Sequence, residues 1–346
     1  MADLDTDTRI VYSIGTNLQG PRECQFRDPC FVAFDHHRGL LYVVDRNSHR
    51  VQAFSSLDGS FAFEFGSQGI LGGQFQYPVG IAIDHNHDRI FVTDTDNDRL
   101  QAFSSADHSF LFAVNLRDSF PCPAGVAFDS VRDQLVIVGI EGQRVRAYRA
   151  TGLRDRSILF DHHGLAPDEI MCNGSDAAVD LQRSRIVTTY TEADRIRVFS
   201  AIDGSFLFEF GSYGKQPGQF EFPQGVCVDN HGRIIVADGA NNRLQAFTHE
   251  GHHISSFDCG RERPFGVAFD EHRGLIAFST GNRVHVIGAN QWLADTKFMW
   301  RPDRHRYAPR WIKQAVSTMT RIRSLVDESS MSMIPNELLF EIFSFL

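Results

Sequence analysis

The feature that most constrains the fold is a strand–turn–strand pattern that recurs six times along the chain. Its clearest copy, residues 218–247, has short apolar runs cut by Asn, Gly and Asp, which are signals of strands joined by tight turns. Every copy has an aspartate at the end of its first run and an arginine, followed by an apolar residue, at the start of its third. The aspartates are Asp35, Asp84, Asp129, Asp180, Asp229 and Asp270, and the arginines are Arg50, Arg99, Arg144, Arg195, Arg243 and Arg283.

The spacing of the copies predicts the fold. A period of roughly 40 to 50 residues with about four short strands in each unit is typical of a β-propeller with one blade per repeat. We therefore predict an all-β, six-bladed β-propeller over residues 9–288, followed by a short α-helical C-terminal tail. The predicted blades are centred on residues 28–66, 77–115, 121–160, 173–211, 222–258 and 263–288, the last together with 9–15.

The sixth copy lacks the run that forms the fourth strand of the other units. A matching run, Arg9–Ile14, stands at the other end of the chain and is followed by Gly15, as the fourth runs of other copies are followed by Gly66 or Gly211. We predict that this N-terminal strand completes the last blade. Such closure removes the seam at which the ring would open and leaves no long unpaired strand edge.

The motifs of the fifth and second copies resemble those of the NHL repeat family. Copies three and four depart from the pattern, with Gly139 and Tyr190 in place of an aspartate, and copy six has a shortened turn. The resemblance implies a six-bladed propeller, but it says little about function because propellers host many unrelated activities. The matching motifs are Pro223-x-Gly225-Val226-x-Val228-Asp229, Ile235-Val236-Ala237-Asp238, Asn241-x-Arg243-Leu244-Gln245-x-Phe247 and Pro78-x-Gly80-Ile81-Ala82-Ile83-Asp84.

The chain after the repeats has the opposite charge to the repeats. Residues 297–346 carry 8 of the 34 basic residues and 5 of the 43 acidic ones, a net charge of +3, which leaves −12 for the rest. Apolar positions at helical spacing from Trp311 to Val326 predict an amphipathic helix, so we interpret residues 289–330 as a basic linker with that helix. The linker either folds back on the acidic ring, lies solvated, or contacts an anionic partner through Arg301, Arg304, Arg306, Arg310 and Lys313.

Residues 331–346 resemble the opening of an F-box, a short helical module that docks its bearer onto the adaptor subunit of a cullin-type ubiquitin ligase. Pro335 stands where it can open a helix, and Glu337 favours the N-terminal dipole. The match ends after one helix, so the segment is either a partial F-box-like helix or a helix that caps the propeller or packs on a partner. The residues that would contact an adaptor are Ile334, Pro335, Leu338, Leu339, Ile342 and Phe343.

The sequence predicts no metal site. Asp94-x-Asp96-x-Asp98 resembles the start of a calcium-binding loop, but Arg99 replaces the required glycine and Ser105 the required glutamate. The histidine pairs 36–37, 162–163 and 252–253 are expected to point to opposite faces of strands, as adjacent strand residues do. Zinc-dependent lyases that resemble this family have histidines at channel-lining positions, and we place Cys30, Val79, Ala124, Gln224 and Phe265 at the corresponding positions here.

The sequence also predicts no catalytic residue and no cofactor. It contains no phosphate-binding loop, no Gly-x-Ser-x-Gly nucleophile elbow and no dinucleotide-binding glycine motif. We assign the six repeat arginines a structural role, because several follow an aspartate by five residues and would pair with it across the turn. Those aspartates are Asp45, Asp94 and Asp238.

Composition favours a cytoplasmic protein. The acidic, polar start does not resemble a signal peptide, and no run approaches the ~20 apolar residues of a membrane span. The six cysteines contain no Cys-x-x-Cys pair, which is typical of free thiols in a reducing compartment.

Three functions follow from these observations. The leading one is a non-enzymatic protein-interaction propeller that serves as a substrate-recognition or scaffold subunit linked to ubiquitin ligation, since similar propellers occur in tripartite-motif ubiquitin ligases. Its partners would be a protein on one propeller face and a cullin-ligase adaptor at the C-terminal helix. An RNA-binding propeller is disfavoured by the acidic ring, and a lyase or hydrolase in the channel is the third alternative. The RNA would contact Arg22, Arg27, Arg117, Arg261 and Arg263, or the basic tail.

Overall fold

The repeats fold into a ring of six sheets. The computed structural model describes residues 10–15, 24–117, 121–139, 144–151, 158–163 and 174–294. Within them lie six antiparallel sheets of four strands each, and five of the sheets take their strands consecutively from the chain. This confirms the predicted all-β, six-bladed propeller.

The strands begin and end close to the predicted runs. The first blade contains β2 (Pro29–Asp35), β3 (Leu40–Asp45), β4 (Arg50–Ser55) and β5 (Phe61–Phe65), and the second β6 (Pro78–Asp84), β7 (Arg89–Asp94), β8 (Arg99–Ser104) and β9 (Phe110–Asn115). The third contains β10 (Pro123–Asp129), β11 (Gln134–Gly139), β12 (Arg144–Arg149) and β13 (Ile158–His163), and the fourth β14 (Gly174–Asp180), β15 (Arg185–Tyr190), β16 (Arg195–Ser200) and β17 (Phe206–Phe210). The fifth contains β18 (Pro223–Val228), β19 (Ile234–Asp238), β20 (Arg243–Phe247) and β21 (His253–Asp258), and the sixth β22 (Val267–Asp270), β23 (Leu275–Ser279), β24 (Val284–Gly288) and β1 (Ile10–Ile14).

The sixth blade is closed by the N-terminal strand, as predicted. β1 pairs antiparallel with β24, with Ile14 opposite Val284. The chain then leaves the strand through Gly15, whose φ is +106° and whose added Cβ would meet the carbonyl oxygen of Asn282 at 2.6 Å. Only glycine suits this conformation and this approach. The hydroxyl of Tyr12 also donates to the carbonyl of Ser56 in the first blade at 2.9 Å, which ties the closing strand to the next blade.

Apolar clusters between neighbouring blades form the core. One cluster contains Tyr42 and Val51 of the first blade together with Ile90 and Phe103 of the second. Phe103 packs against Phe65, with ring centroids 4.9 Å apart. Because each sheet is covered on both sides by its neighbours, the inner strands are apolar on both faces.

The propeller has two ends, which we name from the direction of the chain. The entry face carries the segments that lead into each innermost strand, such as residues 66–77 and 211–222, and the turns between second and third strands. The exit face carries the turns between first and second strands, such as residues 36–39 and 85–88, and those between third and fourth strands.

Beyond β24 the chain continues as a short helix, α1 (Ala289–Ala294), whose Trp292 packs in the cluster between the fifth and sixth blades. The amphipathic helix predicted over residues 311–326 and the F-box-like residues 331–346 lie outside the described residues. The predicted domain boundaries at residues 288 and 330 stay predictions. In the part of the chain that the structure describes, no helix is long and apolar enough to cross a membrane.

Candidate functional site

A pocket opens on the entry face where the first and second blades meet. Its volume is about 310 Å³. The Arg46 side chain is fixed in the pocket wall, because its Nε donates to Asp28 Oδ2 at 2.6 Å and its guanidinium lies 5.8 Å from the ring centroid of Phe265. The lining residues are Arg46, Asn47, Tyr77, Val79, Thr95 and Asp96.

The pocket thus offers a cation, a carboxylate, an amide and an aromatic ring close together. Burial, with the negative charges of Asp98 and Asp94, raises the pKa of the Asp96 carboxyl. Such a mixture of groups suits recognition of a polar ligand. Among the described lining residues there is no arrangement of a nucleophile and a base.

Two aromatic residues on this face are held in an unusual backbone conformation. Tyr77 and Phe222 have φ values of +48° and +54° and are 39% and 46% exposed. Their amides donate to groups of the preceding blade, Tyr77 to Nδ1 of His49 at 3.1 Å and Phe222 to Oδ1 of Asp194 at 2.8 Å. A bulky residue with positive φ is strained, so these contacts hold the rings toward solvent against a local cost.

Sequence reasoning missed these two residues. No periodic pattern specifies a positive φ, and the residue before a proline is normally expected to be extended. The available signal was the aromatic residue that precedes Pro78 and Pro223 in the two copies with the best match to the repeat.

The loops that carry these aromatic residues are anchored by the repeat aspartates and arginines. Asp94 is fully buried, and its Oδ2 accepts from Arg99 Nε at 2.6 Å and from Gln101 Nε2 at 2.9 Å. The other guanidinium nitrogens of Arg99 donate to loop carbonyls, including that of Ile70 at 2.8 Å. Asp238 repeats this arrangement in the fifth blade, where Arg243 Nε donates to it at 2.8 Å and Arg243 Nη1 to the carbonyl of Lys215 at 2.8 Å.

The remaining repeat arginines have different surroundings. Arg50 donates to Glu64 at 2.6 Å and lies 3.4 Å from Asp45. Arg195, whose blade has Tyr190 in place of the aspartate, pairs with Glu209. Arg283 lies 3.9 Å from Glu262. Arg144 begins β12, which pairs with β11, and β11 ends at Gly139 in place of the repeat aspartate.

Three of the predicted loop arginines are exposed without an ion-pair partner among the described residues. Arg27 lies in the segment that enters the first blade, and Arg261 and Arg263 lie in the segment that enters the sixth. Because these blades are neighbours, the three cations share one side of the entry face. Arg117 instead pairs with Asp98 at 3.1 Å, while Arg22, the tail residues Arg301, Arg304, Arg306, Arg310 and Lys313, and the F-box-like residues lie outside the described part.

The side chains that line the central channel are mostly apolar, with Asp176 and His85 as the exceptions among the described residues. A cavity of about 240 Å³ is lined by side chains of the six innermost strands, among them Ala33, Ile83 and Phe269. The expected channel positions were wrong, because none of Cys30, Val79, Ala124, Gln224 and Phe265 lines this cavity. Cys30 and Ala124 are buried, and Val79 lines the entry-face pocket instead.

A single carboxyl group, that of Asp176, interrupts the apolar channel wall in the described chain. Asp176 replaces the glycine of the repeat, which is Gly225 at the same position in the next blade. Its side chain is buried, with the residue only 7% exposed. Burial raises the pKa of Asp176 to about 7, although the amides of Val226 and Ala177 donate to its oxygens at 3.0 and 2.8 Å and favour the charged form.

One of the three histidine pairs does not follow the expected alternation. His36 and His37 lie in the turn between β2 and β3 rather than in a strand, so their rings are not forced to opposite faces. Their ring centroids are 4.4 Å apart, and a third ring, that of His85 from the second blade, lies within 4.4 Å of both. The reason given against a metal pair was therefore wrong at this position.

The six four-stranded sheets define the class of the fold, a six-bladed β-propeller, and two of its repeats are similar to a known repeat family. The NHL repeat family matches the sequence at residues 75–103 and 220–247. These segments contain the two anchored aspartates, Asp94 and Asp238, and the two strained aromatics, Tyr77 and Phe222. The chain is homologous to NHL-repeat tripartite-motif proteins.

Three relatives show the extent of the similarity. Protein lin-41 of Caenorhabditis elegans is 39% identical over 83 residues, which are 24% of this chain and 6% of the relative. Protein brain tumor of Drosophila melanogaster is 32% identical over 120 residues, 33% of this chain and 11% of the relative. E3 ubiquitin-protein ligase TRIM71 of Xenopus tropicalis is 55% identical over 38 residues, 11% of this chain and 5% of the relative. The matches thus span only a small part of each relative.

A solved structure supports the fold alone. A chain of the nidogen/laminin complex superposes with a TM-score of 0.52 and 19% sequence identity, covering 69% of this chain and 83% of that chain.

Proposed function

We propose that this protein is a non-enzymatic recognition propeller that binds a protein partner through its entry face. The observation that carries the proposal is the pair of exposed aromatic rings, Tyr77 and Phe222, held by strained backbone on that face. Aromatic residues and arginine are enriched at protein interfaces, and strained residues persist where the surrounding structure holds them for a purpose.

Side chains and loops of the entry face are held in place by contacts within the chain itself. Arg46 is fixed by Asp28 and by the ring of Phe265, and the loop beside Tyr77 is fixed by Arg99. Preorganised groups lose little conformational entropy on association, which favours affinity.

We further propose that the partner is a substrate of a ubiquitin ligase complex in the cytoplasm. Two relatives are named E3 ubiquitin-protein ligases, TRIM32 and TRIM71. Any ligase activity of this chain would be borrowed, through docking of the F-box-like residues 331–346 on a cullin adaptor. The apolar face proposed for that docking consists of Ile334, Pro335, Leu338, Leu339, Ile342 and Phe343.

The entry-face proposal is tested by affinity purification of the full chain with mass spectrometry. The variant carries Tyr77→Ala and Phe222→Ala, and the matched control carries Leu57→Ser and Ile202→Ser, two exposed apolar residues of exit-face turns. We expect the first variant to lose the principal partner and the control to retain it. Equal recovery by both variants contradicts the use of the entry face.

The ligase proposal needs a separate variant, Leu338→Ala with Leu339→Ala. We expect it to lose a cullin adaptor while still recovering the entry-face partner. If the wild-type chain recovers no adaptor, the F-box-like role is refuted without affecting the entry-face proposal.

A second candidate function, binding of single-stranded RNA, is favoured by one observation. Arg27, Arg261 and Arg263 are exposed without an ion-pair partner in the described chain, and they share the entry face with aromatic rings on which bases can stack. RNA binding is tested by filter binding of a mixed-sequence RNA at salt concentrations from about 50 to about 200 mM. Retention that weakens with salt and with Arg261→Gln plus Arg263→Gln supports RNA binding, and absent or salt-insensitive retention refutes it.

A further inference from the structure

Four imidazole rings from three consecutive blades meet on the exit face. His36 of the first blade is at the centre, and its ring centroid lies 4.2 Å from that of His85 in the second blade and 4.2 Å from that of His272 in the sixth. His37 completes the group, 4.4 Å from both His36 and His85. All four residues lie in turns between first and second strands, so the ring of blades brings them together although they are distant in sequence.

The ligand atoms of this cluster converge closely enough for chelation. One nitrogen from each of His36, His37 and His85 lies within 4.8 Å of the others, and the same holds for His36, Glu271 and His272. In a tetrahedral zinc site with Zn–N distances of about 2.0–2.1 Å, ligand nitrogens lie about 3.3 Å apart. Small rotations of turn side chains would provide the difference.

His85 shows the strongest sign of an incomplete site. Its Nδ1 is buried without a hydrogen-bond partner and lies 3.8 Å from Oδ1 of the fully buried Asp35. A carboxylate behind a histidine is the usual second partner of a metal-bound imidazole, because it fixes the ring and increases its basicity.

We propose that His36, His37 and His85 form a binding site for one divalent transition-metal ion of the zinc type, with Glu271 and His272 beside it as an alternative pair of ligands to His36. Imidazole nitrogen selects zinc, copper, nickel or cobalt ions over calcium and magnesium, which prefer oxygen ligands. Three histidines leave a fourth position for water or for an added ligand.

A metal ion bound at this site would link neighbouring blades. An ion held by His36, His37 and His85 would join the first blade to the second, whereas the alternative set of His36, Glu271 and His272 would join the first blade to the sixth. An ion that binds only the folded ring stabilises it by mass action.

Titration of the full-length protein with Co²⁺ and Zn²⁺ tests the site, with calorimetry for affinity and visible absorption of Co²⁺ for geometry. The test variants are His36→Gln, His37→Gln and His85→Gln. The matched control is His231→Gln, which alters an exposed histidine at the position of His37 in the turn of the fifth blade. Circular dichroism verifies that each variant is folded.

We expect one equivalent of Co²⁺ to bind with the intense absorption of a tetrahedral site, and Zn²⁺ to displace it. Each test variant should weaken binding at least about tenfold, the lower end of the loss typical for altered metal surroundings, while the control binds like the wild-type chain. Zn²⁺ should raise the melting temperature of the wild type and of the control only. Absence of saturable binding, or equal weakening by His231→Gln, would overturn the proposal.

Discussion

The carboxyl group of Asp176 makes the stability of this propeller depend on pH. Its pKa is raised from 3.8 to about 7 in the folded chain, chiefly by burial. Between these values the folded state holds a proton that the unfolded state has released. The contribution of Asp176 to stability therefore falls as the pH rises from about 4 to about 7, and it levels off above that range.

The size of the effect follows from the pKa difference. One pKa unit corresponds to 1.36 kcal/mol, so moving from 3.8 to about 7 corresponds to about 4 kcal/mol of unfolding free energy. The amides of Val226 and Ala177 already contribute to this value, because both donate to the carboxyl oxygens.

Asp176→Asn removes the titration and nearly preserves the shape of the side chain. An amide has only one acceptor oxygen, so one of the two backbone amides loses its partner, at a cost of about 1–3 kcal/mol that does not depend on pH. The informative quantity is therefore the change with pH in the difference between the two proteins. We expect the unfolding free energy of the variant, minus that of the wild type, to rise by up to about 4 kcal/mol between about pH 4 and pH 8.

Urea denaturation followed by tryptophan fluorescence at several pH values measures this difference, and Trp292 is a buried reporter. Other groups titrate in the same range, but they are common to both proteins and cancel. A difference that stays constant with pH would refute the reasoning, since it would mean that the carboxyl group of Asp176 ionises equally easily in the folded and unfolded chains.

Three further predictions concern the ring itself. Gly266→Ala should destabilise the fold by at least about 1–3 kcal/mol in urea denaturation, because its Cβ would meet the Cys30 carbonyl at 2.4 Å, whereas Gly281→Ala, with nothing within 4 Å, should be nearly neutral. Asp94→Ala should lower the unfolding free energy in urea denaturation by about 1–3 kcal/mol, since it leaves the partly buried Arg99 and the buried Gln101 amide without their acceptor. Removing residues 1–15 should expose the β24 edge and cause rapid proteolysis, and resistance equal to wild type would contradict closure.

The fold was predictable because every copy of the repeat repeats the same local signals. Strand ends fell close to the predicted positions where Asp, Asn and Gly mark turns, and the missing fourth strand of the sixth blade could be identified by elimination as Ile10–Ile14. Local pattern and global topology agree in such a sequence, so strand positions that are ambiguous in one copy can be assigned from the others.

The functional groups were less predictable because they depend on contacts between blades. His36, His85 and His272 are far apart in sequence. Packing of the first blade on the second places the rings of His36 and His85 4.2 Å apart, and closure of the ring places those of His36 and His272 4.2 Å apart. Asp176 could have been found, because it breaks the repeat at a position where Gly80 and Gly225 are required by the neighbouring backbone.

Alternate blades also differ in how they are joined. In the second, fourth and sixth blades a hydroxyl group donates to a backbone carbonyl of the next blade. The donors and acceptors are Thr93 to Ala124, Thr189 to Gln224, and Ser279 to Cys30.

The two best-matched repeats lie three blades apart, so in a ring of six they stand on opposite sides of the channel. Each presents the same unit on the entry face: an anchored loop and a strained aromatic residue, Tyr77 on one side and Phe222 on the other. A compact ligand in the pocket beside Tyr77 could not contact Phe222, because the channel mouth separates them. If both rings serve one partner, that partner must extend across the mouth, and its second contact gains affinity from the first because it forms at high effective concentration. The arrangement therefore favours an extended protein segment over a small molecule as the occupant of this face.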